Sequence, residues 1–380
     1  MTSPRRLLAA AFVALLVLAT FLGFRENPND TGIVAPTPIT ADVQPAEVLL
    51  GPIGEFPEEE LRSALTEVCS TGMLESADKE RTQEEIDEQI DAFNELELSL
   101  SERLSVSSSA EHLHLAALLE DNPALRVELL DRAISRSPSD PFLVWGAVQI
   151  CSESGNAAHC PLRDWEQRLI IVDGQNSESW VRVAANRYAA GEHDAALEAM
   201  RYASTAAESR AYWTEMIEMI ERGFAAGSDY AFAERAGMAI GFAASELPSY
   251  GDYVTMCEEQ SAQSVDWAYA CLAYGELVEN QGKTEMGVSI GRSLQKLALE
   301  ALGDLEKAAE VEQRIQARRQ ERLDSIKDFN SATARLVFSN PTLFSAYLAA
   351  IRSDGEEIAQ RRIAAEIERL LEQRPELACE

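Results

Sequence analysis

The sequence is short of basic residues, and it lacks the glycine patterns that bind phosphate. Its 33 Lys and Arg residues stand against 64 Asp and Glu residues, which leaves a formal net charge of -31. Binding to a phosphate backbone requires clustered Lys and Arg, so we expect no nucleic-acid partner. The acidity is typical of a solvated extracytoplasmic surface, and an acidic surface for a basic partner is the alternative interpretation.

Histidine is also scarce, and the four histidines form no catalytic or metal-binding pattern. His112 and His114 are two residues apart, which on a helix directs them about 200° from each other, whereas helical zinc ligands lie four residues apart. Residues 287–291 have the spacing of a nucleophile elbow, but that motif needs a preceding strand and a later histidine, and the last histidine is His193. We expect these glycines to permit close helix packing. The sequence predicts no catalytic residue, no metal and no cofactor.

One long apolar run is present, at the amino terminus. Arg5 and Arg6 precede uncharged residues 7–24, which at about 1.5 Å per residue span roughly 27 Å, close to the thickness of a bilayer core. This pattern predicts that residues 1–24 are a signal anchor with one transmembrane helix, and that the rest of the chain lies across the membrane. A cleaved secretory signal is the alternative, although small residues are poorly placed for a cut.

Proline is concentrated after the apolar run. Six of the 14 prolines fall within residues 25–57, a density that excludes a helix and favours an extended stalk or tether. We expect residues 58–380 to form the extracytoplasmic domain. This length exceeds what one compact core usually covers, so two domains or an elongated array are expected.

All six cysteines follow the apolar run, and in an oxidising compartment an even number suggests disulfides. Cys151 and Cys160 flank a short polar connection, where a bridge would join the end of one helix to the start of the next. Cys257 and Cys271 surround a second polar stretch and would join a similar helix pair. Each bridge would contribute about 2 to 3 kcal/mol. Buried free thiols are the alternative.

The chain after residue 24 has no convincing strand run, while helix signals recur. Ser108 and Glu111 have the spacing of a capping box, and Asn122 and Asp140 each precede a proline suited to a first helical turn. Residues 213–220 have helical apolar spacing. These signals predict short helices paired through turns.

One segment, residues 177–209, combines small and aromatic residues at the spacing of a helix pair. These residues are Trp180, Val183, Ala184, Gly191, Ala196, Leu197 and Ala203. In type and spacing they resemble a tetratricopeptide repeat. The resemblance implies that Trp180 fills the space between helices, that the alanines allow close approach, and that Gly191 lies in the turn. Arg187 departs from the family pattern, which has an aromatic residue there.

Residues 124–138 and 266–303 are weaker echoes of the same pattern. The resemblance implies an all-α fold in which helical hairpins stack into a solenoid with a concave surface for partners, after the transmembrane helix and the proline-rich linker.

The end of the chain has two interpretations. Residues 357–373 carry apolar side chains on one side and suit a capping helix, but they would equally suit a dimer interface. Cys69 and Cys379 would pair across the fold or between chains. A homodimer therefore stays open as an alternative.

Taken together, these patterns predict a membrane-anchored scaffold without catalytic activity. Its helical domain would lie in the periplasm of a bacterium, on the inner membrane, and bind a protein partner during interaction or envelope assembly. Cleavage of the anchor would instead make the protein periplasmic or secreted. The alternative function is a carbohydrate-active hydrolase on a helical scaffold, which would need two buried carboxylates with raised pKa in one cleft.

Overall fold

The computed structural model is all-α. It describes residues 59, 61–63, 65–66, 95–152, 159–245, 250–328 and 331–374. Across these residues the backbone forms helices joined by turns and loops, with no strand and one isolated bridge between Asn176 and Glu208. None of the helices described is long and apolar enough to span a membrane. The predicted anchor and linker, Cys69 and Cys379 lie outside the described residues.

The described helices follow one another with short connections. Residues 95–105 are helical. The helices after them are α1 (Ala110–Leu119), α2 (Pro123–Arg136), α3 (Pro141–Ser152), α4 (Leu162–Asp173), α5 (Ser177–Ala189), α6 (His193–Ser204), α7 (Trp213–Gly227), α8 (Phe232–Ser245), α9 (Tyr250–Ser261), α10 (Val265–Gln281), α11 (Glu285–Leu302), α12 (Leu305–Asp328), α13 (Ser331–Ser339), α14 (Pro341–Asp354) and α15 (Glu356–Gln373).

The predicted start of α1 is wrong by one residue. Ser109, rather than Ser108, is the cap, and its Oγ accepts the backbone N–H of His112 at 3.4 Å. The Oγ of Ser107 accepts the N–H of Ser109 at 3.1 Å, and this turn leaves Ser109 as the last extended residue before the helix.

The predicted proline starts are confirmed. The Oδ1 atoms of Asn122 and Asp140 each accept an N–H two residues further on, at 3.0 Å, and the helices begin at the prolines. Asn340 begins α14 in the same way, and its Oδ1 accepts two N–H groups at 3.0 Å. An amide or carboxylate oxygen thus replaces the acceptor that these first N–H groups lack.

The first six helices form three consecutive hairpins, α1–α2, α3–α4 and α5–α6. Helices α1, α3 and α5, the first of each hairpin, pack on one another in sequence. The second helices, α2 and α4, pack on α3 and α5, respectively. This is the contact pattern of stacked helical pairs, in which no pair buries its apolar face alone.

The remaining helices close this row into a circuit. Helices α9 and α10 pack on α5 and α6, and α10, α11 and α12 follow as successive neighbours. Helix α15 then packs on α12, α14 packs on α7, and α7 packs on α1. The described part of the chain therefore returns to its first hairpin.

Two central helices are buried on all sides. Every residue of α1 from Leu113 to Leu119 is buried, and so is every residue of α3 from Phe142 to Cys151. Such all-round burial is typical of a helix in the middle of a core. One core surrounds these helices with parts of α7, α8 and α13 to α15, and a second core joins α5, α6, α9, α10 and α11.

Helix α7 packs on α1, at one side of the row of hairpins. The Tyr212 ring, just before α7, lies 5.6 Å from the Trp145 ring of α3. A side chain at Gly223 would collide with Leu115 of α1, so the two helices touch there. On this side, α1 and α3 are therefore covered by the chain itself.

The predicted apolar stripe near the end of the chain is used within the chain. Ile363, Ile367 and Leu370 of α15 are buried, and α15 packs on α12, α13 and α14. These side chains are therefore covered without a second copy of the protein.

Candidate functional site

The residues that resemble a tetratricopeptide repeat lie together in the hairpin α5–α6. Ala184, Ala196 and Ala203 are fully buried, and Leu197 is half-buried against the same core. Gly191 has a φ of +77° in the turn between the helices, a conformation that favours glycine. Small buried side chains thus line the contact between α5 and α6, and glycine forms the turn.

Trp180 joins the two helices of this hairpin and reaches the surface. Its Nε1 donates a hydrogen bond to the carbonyl oxygen of Gly174 at 2.9 Å, and its ring stacks on Tyr202 of α6 with centroids 4.5 Å apart. Trp180 is half-buried, and Tyr202 is 48% exposed. The pair therefore forms part of the outer surface beside α6.

Arg187, at the position where a tetratricopeptide repeat has an aromatic residue, forms a buried ion pair in this chain. Its Nη2 lies 2.9 Å from Oε2 of Glu166 on α4, a carboxylate that is only 1% exposed. Arg163 contacts the same oxygen at 2.9 Å, and Asn186 donates to Oε1 at 3.0 Å. A buried carboxylate is tolerated when it is paired and hydrogen-bonded, so this cluster fixes α4 against α5. The sequence shows that Arg187 replaces an aromatic residue, but it does not show that Glu166 is its partner.

A second buried polar cluster lies between α5, α9 and α10. Oε1 of Glu178 accepts hydrogen bonds from Tyr274 at 3.0 Å and from Ser209 at 3.2 Å. The guanidinium of Arg182 lies 5.1 Å from the centre of the Tyr253 ring, and its buried Nε and Nη2 atoms have no hydrogen-bond partner among the described residues. Burial raises the pKa of the Glu178 carboxyl, although its two hydrogen bonds and the charge of Arg182 act in the opposite direction.

This cluster bears on the hydrolase alternative, which requires two carboxylates in one cleft. Glu178 is 2% exposed, and the groups that face it in the described part of the chain are hydroxyls and a guanidinium. The arrangement ties α5 to α9 and α10, and it offers no second carboxylate beside the first.

Both predicted disulfides are present. Cys151–Cys160 joins the end of α3 to the segment before α4, and Cys257–Cys271 joins α9 to α10. Each bridge links two consecutive helices, as the spacing of the cysteines predicts.

The predicted separation of His112 and His114 is confirmed. His112 Nδ1 lies 2.9 Å from Ser107 Oγ near the surface, whereas His114 is fully buried against Gly146. Burial lowers the pKa of His114 to about 4. In the described part of the chain, no three His, Cys, Asp or Glu side chains are grouped for a metal ion.

The glycines at 287–291 lie inside α11, without a strand before the serine. A Cβ atom on Gly291 would lie 2.7 Å from the carbonyl oxygen of Gly275 on α10. Close helix packing, as predicted, is therefore the role of Gly291.

An exposed apolar surface lies along α10 and the neighbouring end of α6 and start of α12. Val265 and Tyr269 of α10 are 62% and 60% exposed, and Leu305 at the start of α12 is 66% exposed. Together with Tyr202, these residues form what we call the Tyr269 surface. Isolated exposed apolar residues are ordinary, but neighbouring ones are typical of interaction sites.

Contacts beneath the Tyr269 surface bring its members together. Leu272, one turn after Tyr269, packs in the small cluster that contains Ala308, one turn after Leu305. On the other side, Nη2 of Arg201 lies 2.7 Å from Oδ2 of Asp266, which places the end of α6 beside the start of α10. The sequence does not reveal this surface, because Val265 and Tyr269 have the four-residue spacing of a buried stripe.

No protein-family model matches the chain, and no curated protein shows significant similarity to it.

Proposed function

We propose that this protein is a single-pass membrane protein whose tetratricopeptide-like helical domain acts as a protein-interaction scaffold in the periplasm of a bacterium. The anchor would hold the domain at the inner membrane, and the proline-rich linker would hold it away from the bilayer.

The observation that supports this proposal most is the packing of the first three hairpins. Consecutive hairpins pack on one another, and in hairpin α5–α6 the alanines are buried between the helices and Gly191 lies in the turn. Proteins built in this way commonly present extended surfaces to partner chains. Two disulfides between consecutive helices fit an oxidising compartment.

The compartment is tested by labelling a cysteine introduced at Val106, which is 83% exposed. In spheroplasts, a membrane-impermeant maleimide should label the Val106→Cys chain above the level of the unsubstituted chain. Labelling that appears only after permeabilisation would place the domain in the cytoplasm and contradict the proposal.

The scaffold is tested by crosslinking the full chain in its native membrane, followed by purification through a C-terminal tag and mass spectrometry. The matched control keeps residues 1–57 and carries an unrelated folded domain in place of residues 58–380. We expect one or a few envelope proteins to be enriched with the full chain alone. Equal recovery with the control, or recovery of nothing above background, would contradict a scaffold role.

A further inference from the structure

The charged side chains around the Tyr269 surface that form no ion pair within the described residues are acidic. Arg201, Lys296 and Lys307, the basic side chains beside it, are each paired with a carboxylate at 2.7 to 2.8 Å. Three exposed carboxylates beside this surface form no ion pair within the described residues. They are Glu276, Glu306 and Glu310.

These carboxylates border the apolar side chains closely. Glu276 lies seven residues after Tyr269 on α10 and therefore on the same side of the helix. Glu306 adjoins Leu305, and Glu310 lies one turn further along α12. The surface thus has an apolar, partly aromatic centre and a negatively charged rim.

We propose that the Tyr269 surface binds a basic amphipathic segment of a partner protein, which names the partner class of the proposed scaffold and rests on that function. Apolar side chains of such a segment would cover Val265 and Leu305, while its Lys and Arg side chains would meet the rim. Cations would also lie favourably over the faces of Tyr202 and Tyr269.

Charge complementarity selects this occupant over others. A second copy of the chain would bring the same acidic rim and a net charge of -31 against the first. Anionic lipids and nucleic acids would be repelled for the same reason. A basic segment is attracted at a distance, and this attraction weakens as salt screens it.

The test uses the full chain in phosphatidylcholine nanodiscs and a fluorescein-labelled synthetic helix of about 16 residues, with Leu and Phe on one face and Lys and Arg on the other. A second peptide carries Glu in place of every Lys and Arg. Fluorescence anisotropy gives the Kd for the chain, and empty nanodiscs supply the blank.

Three variants separate the contributions. Tyr269→Ser/Leu305→Ser removes the apolar centre, and Glu306→Gln/Glu310→Gln removes part of the rim. Leu125→Ser/Ile171→Ser is the matched control, because these two side chains are exposed apolar residues on α2 and α4. All six positions are exposed, and circular dichroism checks that the helix content is unchanged.

We expect the first variant to raise the Kd of the basic peptide about tenfold or more, the second to raise it severalfold, and the control to leave it within about twofold. High salt should weaken the binding, and the acidic peptide should not bind. The proposal would be overturned if Tyr269→Ser/Leu305→Ser left the Kd of the basic peptide unchanged. It would also be overturned if the control variant raised that Kd equally. A result in which Tyr269→Ser/Leu305→Ser abolishes self-association of the chain and leaves peptide binding unchanged would overturn it as well.

The native crosslinking experiment separates this proposal from the scaffold role. If Tyr269→Ser/Leu305→Ser leaves partner recovery unchanged, the proposed role of the Tyr269 surface is wrong and the scaffold function still stands. If the basic peptide binds selectively but no native partner is recovered, the Tyr269 surface still binds basic segments and the scaffold function is wrong.

Discussion

Glu178 shows at the scale of one residue how burial becomes a dependence on pH. Burial raises its pKa in the folded chain above the ordinary value of 4.5. The folded state therefore holds the proton more tightly than the unfolded state. The resulting stabilisation is complete below the unfolded-state pKa and is lost as the pH rises through the folded-state pKa.

We predict that Glu178→Gln removes this loss, because the amide stays neutral. The free energy of unfolding of the variant, relative to the unsubstituted chain, should rise with pH by up to about 1.4 kcal/mol per pH unit between the two pKa values. Urea unfolding followed by tryptophan fluorescence at several pH values measures the difference. A difference that stays constant with pH would contradict the prediction. Glu276→Gln, an exposed substitution on α10, is the control.

His114 and Gly146 give a second residue-scale prediction. A Cβ atom at position 146 would collide with the imidazole ring, which is buried and has no hydrogen-bond partner on either nitrogen among the described residues. We expect Gly146→Ala to lower the free energy of unfolding by about 1 to 3 kcal/mol, the usual cost of overpacking.

The double substitution Gly146→Ala/His114→Ala tests the cause of that loss. It should cost less than the sum of the two single substitutions, because the ring that the new methyl group meets is absent. Additive losses in a double-mutant cycle would show that the collision is not the cause.

At the scale of elements, the packing of α10 on α11 depends on glycine. A Cβ atom at Gly291 would lie 2.7 Å from the Gly275 carbonyl oxygen, and backbone atoms cannot move aside as a flexible side chain can. Gly237 in α8 has no atom within 4 Å of an added Cβ. Alanine favours a helix over glycine by about 0.5 to 1 kcal/mol where space allows.

We therefore predict opposite effects of the same substitution in two helices. Gly237→Ala should raise the midpoint of thermal unfolding, and Gly291→Ala should lower it by the equivalent of about 1 to 3 kcal/mol. Differential scanning calorimetry gives both values. A rise with Gly291→Ala would mean that α10 and α11 have room to separate.

Individual helices were the most predictable part of this fold. The Asn122 and Asp140 starts, the stripe of α15 and both disulfides follow from local spacing, which reports on neighbours along the chain. The Ser108 start is off by one residue, because the Oγ of Ser107 accepts the N–H of Ser109 and leaves Ser109 to cap the helix.

Contacts between distant helices were not predictable. The apolar spacing of α7 predicts a buried face but not that α1 lies against it, because periodicity identifies a face without its partner. The Tyr269 surface was missed for the same reason, since exposed Val265 and Tyr269 have the spacing of core residues. The ion pair between Glu166 and Arg187 was also not predictable, because the two residues lie on different helices and no local spacing relates them.

At the scale of the whole molecule, the circuit is closed where the turn before α15 meets the turn before α11. The N–H of Glu356 donates to the Lys283 carbonyl oxygen at 2.8 Å, and the N–H of Glu285 donates to Oε2 of Glu356 at 3.0 Å. Arg318 of α12 lies between the two turns, 2.6 Å from Glu285 and in contact with Glu357. These groups are mostly buried, so their loss should cost more than that of a surface ion pair.

We predict that Arg318→Met loosens α15 without unfolding the rest of the chain, because it removes the cation that Glu285 and Glu357 share. Hydrogen exchange with mass spectrometry should show the amides of residues 356–373 exchanging about tenfold faster, which corresponds to about 1.4 kcal/mol, while hairpin α5–α6 keeps its rate. Arg319→Met is the matched control, since Arg319 is exposed on the same helix and has no ion pair in the described part of the chain. Equal exchange of α15 in the two variants would mean that apolar packing alone, through residues such as Ile363, closes the circuit.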